Sequence, residues 1–239
     1  MEAIVDRYKA ILFDAGDTLL NVKASQQIVT QFLKQRAFSC EEQDVAAVLY
    51  DSIQRFYYDR EKDEQAVCSP ELDRAFWVKL YTHMMNSLDS HNFGEEAIHR
   101  FCHELYDVFT GPEVYTLFDD VIEVLESLRA RGFQLAVISN FADTLPHILE
   151  TKGIAKYFSE IVVSTEVGME KPNPEIFRYA LRKLGRKPEE ALYIGDHELN
   201  DVWAPKQAGI DAIRILRYDY MRGDGISSLR ELLEDGQPL

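Results

Sequence analysis

The chain has 239 residues, of which 46% are hydrophobic, so it can bury the core of one large domain or of a core with an insertion. Its 41 acidic and 26 basic side chains give a net charge of −15. This charge argues against nucleic acids and anionic membranes as partners, because both demand a positive field. An anionic small substrate stays possible, since a bound metal ion supplies positive potential locally.

The start of the chain and its cysteines bear on its location. The first residues, MEAIVDRYKA, do not show a basic segment followed by an apolar one, so we expect no signal peptide. The three cysteines are scattered without metal-ligand spacing, which is typical of reduced thiols. No apolar run approaches the length needed to span a bilayer. We therefore expect a cytoplasmic protein, and the sequence leaves its oligomeric state open.

The first predicted strand ends at a carboxylate. In AILFDAGDTLL, residues 10–20, an apolar run reaches Asp14, turns through Ala-Gly-Asp-Thr and becomes apolar again. A carboxylate at the tip of a buried strand is well placed for chemistry. An Asp at a strand end is also a common turn former, so this residue alone decides nothing.

Residues 21–112 predict a helical insertion. They contain four amphipathic patterns and no convincing strand. A Gly-Pro pair at 111–112 marks the return of the chain to another architecture. We expect a core domain of residues 1–20 and 113–239, with residues 21–112 forming an α-helical bundle that acts as a cap domain.

From about residue 114 the chain alternates short apolar runs with helical patterns. Strand–helix alternation with mostly apolar strands predicts an α/β fold with a Rossmann-like parallel sheet covered on both faces. The four further predicted strands are 133–140, 160–165, 191–196 and 211–216.

Polar side chains stand where these strands end. The carboxyl ends of parallel strands meet at one edge of the sheet, where ligands bind. Two carboxylates from different loops form an oxygen site suited to Mg²⁺, and an ammonium and a hydroxyl can hold phosphoryl oxygens. A carboxylate can also attack phosphorus. Besides Asp14, the residues at this edge are Ser139, Asn140, Lys171, Asp196 and Asp201.

Four stretches in chain order resemble the motifs of the haloacid dehalogenase superfamily of hydrolases. They are FDAGDTL, VISN, GMEKPNPEIF and IGDHELND. The resemblance implies a helical cap, Mg²⁺ as cofactor and phosphate esters as substrates. It implies that Asp14 is the nucleophile and a metal ligand, that Gly16 offers its carbonyl to the metal, and that Asp196 is the second carboxylate ligand. It further implies a supporting role for Thr18 and Asp201, and phosphate binding by Ser139, Asn140 and Lys171.

Gly16 departs from the family pattern. Phosphatases of this superfamily usually carry a second Asp two residues after the nucleophile, which protonates the leaving group and then activates water. Gly16 does neither, and the loss of a general acid–base typically costs roughly 10²–10⁴ in rate. Asp17 lies next to it, but local hydrogen bonds to backbone N–H groups are the favoured interpretation of that side chain.

Three hypotheses follow from Gly16. The favoured one is a Mg²⁺-dependent phosphatase that hydrolyses a small phosphorylated metabolite and obtains its proton elsewhere. The second is a catalytically impaired protein that binds a phosphorylated ligand. A dehalogenase is the weakest, because it has no use for the carboxylates of GDHELND. No cap motif names a substrate, and His197, on the same loop, faces either substrate or solvent.

Overall fold

A computed structural model describes residues 4–22, 24–58, 68–88 and 93–234, and a five-stranded parallel sheet forms the centre of its α/β part. The strand order is β5-β4-β1-β6-β7, and every neighbouring pair is parallel. The predicted α/β class with a Rossmann-like parallel core is therefore confirmed. The strands are β1 Ala10–Phe13, β2 Leu20–Val22, β3 Tyr115–Leu117, β4 Gln134–Ser139, β5 Glu160–Val163, β6 Ala191–Gly195 and β7 Asp211–Arg214.

Helices fill the segment between β2 and β3 and alternate with the later strands. Four helices lie at the positions of the four amphipathic patterns between residues 21 and 112. A π-helical turn, Glu198–Trp203, follows β6. The helices are α1 Ser25–Lys34, α2 Glu42–Ile53, α3 Pro70–Ser87, α4 Glu95–Thr110, α5 Val121–Ala130, α6 Leu145–Thr151, α7 Ser164–Val167, α8 Glu175–Leu184 and α9 Ala204–Gln207.

Helix α8 shows how sequence sets these elements. Its apolar residues recur at helical spacing, and they pack with the buried residues of β1, β4 and β6. The helix ends at Gly185, whose φ of 64° lies in the left-handed region that glycine adopts without steric cost. The apolar face of α8 thus covers part of the sheet, whose central strands are buried.

The chain divides into two compact units. The first comprises the described residues of Met1–Asn21, Glu64–Ser69 and Tyr115–Leu239, and it contains the parallel sheet. The second comprises those of Val22–Asp63 and Pro70–Val114, and it contains helices α1 to α4. The domain boundaries at residues 20 and 113, and the action of the helical unit as a cap, stay predictions.

A small second sheet corrects the expectation that residues 21–112 contain no strand. Strands β2 and β3 pair into a two-stranded sheet, and β2 reaches into the predicted helical segment. Each has three residues, too few for a period-two alternation to show in sequence.

Within the described residues, none of the helices has both the length and the apolar character needed to span a membrane.

Candidate active site

The three central strands bring three polar residues to one edge of the sheet. Strand β1 lies between β4 and β6. Asp14 directly follows β1, Ser139 is the last residue of β4, and Asp196 directly follows β6. The Asp14 amide continues the ladder by donating to the Ile194 carbonyl at 2.9 Å. The topology therefore places these three residues at the same carboxyl edge of the sheet, where the sequence analysis expects them.

Lys171 is the centre of the buried charge cluster. Its Nζ donates to Asp14 Oδ1 at 2.7 Å, to Asp201 Oδ1 at 2.6 Å and to the Tyr193 hydroxyl at 3.0 Å. Asp14, Lys171 and Asp201 are only 6%, 4% and 1% exposed. All three ammonium protons therefore have acceptors in the protein, and a phosphoryl oxygen that binds Lys171 must take the place of one of them.

Tyr193 is a site residue that the sequence analysis did not single out. It lies in β6, where ALYIG is a continuous buried run, and its ring packs edge-to-face on Phe177 at 5.1 Å. Its hydroxyl donates to the Ile138 carbonyl at 2.8 Å and accepts from Lys171. A hydroxyl-bearing side chain within an otherwise apolar strand is the signal that could have drawn attention to it, because a buried hydroxyl needs partners.

Asn140 uses its side chain on the backbone of Lys171. Its Oδ1 accepts from the Lys171 amide and its Nδ2 donates to the Lys171 carbonyl, both at 2.7 Å. This reciprocal pair fixes the loop that carries the lysine. Phosphate binding by Asn140 stays a prediction. In this structure its side chain bonds to the Lys171 backbone instead. The Ser139 side chain lowers the pKa of Asp14 slightly against the larger rise from burial, which indicates that its hydroxyl lies near the candidate nucleophile.

The carboxylates form a site whose chemistry fits a divalent cation. Asp14, Asp196 and Asp201 place one oxygen each within 4.8 Å of one another. Burial and the negative charges of Asp201 and Asp14 raise the pKa of Asp196 well above its ordinary value. Burial also raises the pKa of Asp14 to about 6, although the charge of Lys171 opposes that rise. A cation between the carboxylates relieves such repulsion, and carboxylate and backbone oxygens are the ligands that Mg²⁺ prefers.

Asp201 is held from both ends. Besides the bond from Lys171 to Oδ1, its Oδ2 accepts from the His197 amide at 2.9 Å. A Cβ on Gly195 would lie 2.5 Å from the Asp201 side chain, so this close approach requires glycine. His197 caps the π-helical turn, since its Nδ1 accepts from the Asn200 amide at 3.2 Å. These contacts favour a supporting role for Asp201 and a structural one for the His197 ring.

In the loop after Asp14, Gly16 has free space beside it, whereas the Asp17 side chain is held by a hydrogen bond. A Cβ built on Gly16 would meet no described atom within 4 Å, and the backbone of Gly16 is not left-handed. Asp17 does adopt the left-handed region, with φ of 50°, and its Oδ1 accepts from the Tyr218 hydroxyl at 2.5 Å. The partner of Asp17 is therefore a distant side chain, and not the local backbone N–H groups that the sequence analysis favoured.

Thr18 is held through its backbone. Its carbonyl accepts two hydrogen bonds from Arg217, whereas its Oγ1 has no hydrogen-bond partner among the described residues. The supporting role of Thr18 stays a prediction, and the structure shows only that its carbonyl is held by Arg217. Arg217 and Tyr218 were not predicted as site residues, because they lie about 200 positions along the chain from this loop.

The sequence matches the model of one protein family over most of its length. Residues 8–209 match the haloacid dehalogenase-like hydrolase family, a stretch that contains every residue of the carboxylate cluster. The chain belongs to this family. The matched range includes Asp14, Lys171 and Asp196, which lie on separate loops after β1, β5 and β6.

Curated relatives within the family are phosphatases in several cases. The glyceraldehyde 3-phosphate phosphatase of Methanopyrus kandleri is 46% identical over 104 residues, which cover 43% of this chain and 45% of the relative. The phosphoglycolate phosphatase of Vibrio parahaemolyticus is 37% identical over 144 residues, covering 55% of this chain and 62% of the relative. The chain thus spans about half the length of the curated relatives it matches.

Solved structures of the family share the fold of this chain. The HAD hydrolase YfnB of Bacillus subtilis, described with bound magnesium, superposes with a TM-score of 0.73 at 20% identity, over 95% of this chain and 97% of that one. A HAD phosphatase of Thermococcus onnurineus superposes with a TM-score of 0.63 at 24% identity, over 94% and 95%. At these identities the similarity establishes the fold alone.

Proposed function

We propose that the protein is a Mg²⁺-dependent phosphatase that hydrolyses a small phosphorylated metabolite through an aspartyl-phosphate on Asp14. The observation that carries the proposal is the buried contact between Asp14 and Lys171 beside a cluster of carboxylates. The phosphatase names of the curated relatives support the same conclusion. The net charge of −15 and the cytoplasmic location predicted from the sequence agree with a small-molecule substrate.

The residues divide the work of phosphoryl transfer. Lys171 and Ser139 bind the phosphoryl oxygens, and Asp14 attacks phosphorus as the bond to the leaving oxygen breaks. Asp14, Asp196 and the Gly16 carbonyl would hold Mg²⁺, which supplies charge neutralisation at the phosphoryl group. Water then attacks phosphorus, releases phosphate and restores the Asp14 carboxylate. Positioning and neutralisation supply most of the catalysis in such a reaction.

Proton transfer is the step for which position 16 offers no group. The leaving oxygen needs a proton when it departs as a poor leaving group, and Gly16 has none to give. We therefore expect phosphates with acidic leaving groups, such as p-nitrophenyl phosphate, to be favoured over simple alkyl phosphates. The proton for an alkyl leaving group then comes from water or from the substrate itself.

Gly16 also supports a second candidate function, a protein that binds a phosphorylated ligand without turning it over. Without an acid–base group at this position, the same cluster still binds a phosphoryl group. The intact Asp14, Lys171 and Asp196 favour the enzyme, since a pure binding site gains nothing from a carboxylate beside the phosphoryl group.

The decisive experiment measures phosphate release by wild type, Asp14→Asn and the control Asp44→Asn, whose side chain is exposed on helix α2. Substrates are p-nitrophenyl phosphate, glyceraldehyde 3-phosphate and phosphoglycolate, each with Mg²⁺ and with EDTA. We expect release that requires Mg²⁺, disappears in Asp14→Asn and persists in Asp44→Asn. Release that survives in Asp14→Asn contradicts the aspartyl-phosphate. Binding of inorganic phosphate with no release from any substrate favours the binding protein.

A further inference from the structure

Two consecutive residues from the far end of the chain contact the loop that carries Asp14. Arg217 and Tyr218 follow β7, the edge strand of the sheet. Arg217 Nε and Nη2 donate to the Thr18 carbonyl at 3.1 and 2.6 Å. The Tyr218 hydroxyl donates to Asp17 Oδ1 at 2.5 Å. We call these two residues the loop clamp, because their three hydrogen bonds join the catalytic loop to a distant segment.

Arg217 is fixed by the core of its unit. Its Nη1 donates to Asp120 Oδ2 at 2.7 Å, and the two side chains are 4% and 1% exposed. Asp120 Oδ2 also accepts from the Ser228 hydroxyl at 2.7 Å and from the Leu229 amide at 2.8 Å. The guanidinium lies over the Phe118 ring at 4.2 Å. A buried guanidinium with so many partners has one position, so it transmits that position to Thr18.

Tyr218 is fixed by aromatic neighbours. Its ring stacks on Tyr220 with centroids 5.3 Å apart and planes 6° apart, and it meets Phe118 edge-on at 6.2 Å. The ring therefore keeps its place when only the hydroxyl is removed. Tyr218→Phe therefore removes only the hydroxyl, with its hydrogen bond to Asp17 and a longer one to Asn21 Oδ1 at 3.2 Å.

The loop itself has reasons to need support. Gly16 has no side chain to contact its surroundings, and Asp17 adopts a left-handed conformation that is uncommon for residues other than glycine. Thr18 Oγ1 has no partner within the described residues, so the Thr18 side chain does not anchor the loop by a hydrogen bond. Among the described residues, the hydrogen bonds that tie residues 17 and 18 to a distant segment are those of the clamp, whereas the Asp17 amide donates locally to the Leu20 carbonyl at 2.8 Å.

We propose that Arg217 and Tyr218 are positioning residues, which hold the loop of residues 14–18 so that the Asp14 carboxylate stays aimed at the substrate phosphorus. The inference rests on the proposed phosphatase function. Neither residue contacts reacting atoms, and both act through Asp17 and Thr18. A misplacement of about 1 Å at a reacting group can cost on the order of 10²-fold in rate. Loosening the clamp therefore lowers kcat while the binding of substrate by Lys171 and Ser139 persists.

The test compares Tyr218→Phe with Tyr157→Phe, which removes a surface hydroxyl that donates to Glu126 at 2.9 Å. In the metal-free protein, we expect amide hydrogen exchange of residues 14–20 to accelerate in Tyr218→Phe alone. With Mg²⁺ and p-nitrophenyl phosphate, we expect kcat to fall at least about fivefold while KM stays within about threefold. Asp17→Ala combined with Tyr218→Phe should lose little beyond the larger single loss, because each substitution removes the hydrogen bond between Asp17 and Tyr218.

A second variant, Arg217→Lys, keeps the charge beside Asp120 and loses the paired donation to Thr18. We expect the same acceleration of exchange and the same fall in kcat, and circular dichroism establishes that the variant is folded. Unchanged exchange in both variants overturns the clamp, as does faster exchange with unchanged kcat. A rise in KM at constant kcat assigns Tyr218 to substrate contact instead. If the wild type releases no phosphate, the proposed function fails, and the exchange data alone decide whether the clamp holds the loop.

Discussion

The two sides of Asp14 differ, because one is filled by a buried charge cluster and the other leaves open space. On one flank, Lys171 is buried and donates to Asp14, Asp201 and Tyr193, so every proton of its ammonium has an acceptor. On the other, Gly16 leaves space where a side chain would fit. This chain thus places its buried charges around Asp14, the proposed nucleophile. It leaves open position 16, where the sequence analysis expects a phosphatase of this family to carry a second Asp.

The largest expected effect is on the charged flank. Lys171→Met removes the ammonium and leaves Asp14 and Asp201 buried without it, which typically costs about 3–5 kcal/mol in the free energy of unfolding. Denaturant unfolding of the metal-free protein measures this loss, with Lys183→Met, at an exposed position of helix α8, as the control. A loss below about 1 kcal/mol would show that the carboxylates take up protons at no significant cost.

The next prediction compares the glycines on the two flanks. Gly195→Ala puts a Cβ 2.5 Å from the Asp201 side chain, so we expect about 1–3 kcal/mol of destabilisation by overpacking. Gly16→Ala adds the same methyl group in open space and should change stability by no more than about 0.5 kcal/mol. Equal losses of stability in the two variants would contradict a steric difference between positions 195 and 16.

A carboxylate placed on the open flank should change chemistry more than stability. Gly16→Asp supplies a general acid, so we expect turnover of an alkyl phosphate to rise by about tenfold relative to p-nitrophenyl phosphate. Steady-state kinetics with both substrates measure the ratio, and Gly16→Ala is the matched control. The absence of any gain would show that another group already transfers the proton.

The smallest expected effect concerns acid and the buried Asp120, which anchors the loop clamp. Burial alone would raise the pKa of Asp120, but hydrogen bonds from Arg217 and Ser228 outweigh burial and lower it. A carboxylate with a lowered folded-state pKa contributes stability above its ordinary value of about 3.9, and this contribution disappears as pH falls through the folded-state pKa.

The stability difference between wild type and Asp120→Asn should therefore be constant near pH 7 and become smaller below about pH 4. Urea unfolding across this range measures the difference. Asp211→Asn, whose carboxylate is half exposed in an ion pair with Arg7, serves as the control. A difference that stays constant down to pH 3 would contradict the lowered pKa of Asp120.

Much of the fold could be predicted because its signals are local. Short apolar runs separated by helical patterns predict a parallel sheet, and apolar residues recur at helical spacing in the insertion, most clearly in α1 and α4. The carboxyl-edge rule then places Asp14, Ser139 and Asp196 together without any coordinates. The two short strands β2 and β3 were missed, since three residues cannot display a period.

The sequence by itself determined which chemical groups reach the candidate active site, because strand ends and motif spacing are properties of contiguous residues. Only the tertiary structure decided how those groups are held. In the folded chain, the Asn140 side chain bonds to the backbone of Lys171, and the Tyr193 hydroxyl accepts from the Lys171 ammonium. Arg217 and Tyr218 contact a loop that lies about 200 positions away in the sequence. Hydrogen bonds between distant segments depend on how the strands and helices pack in three dimensions, and such packing leaves no periodic trace in the sequence.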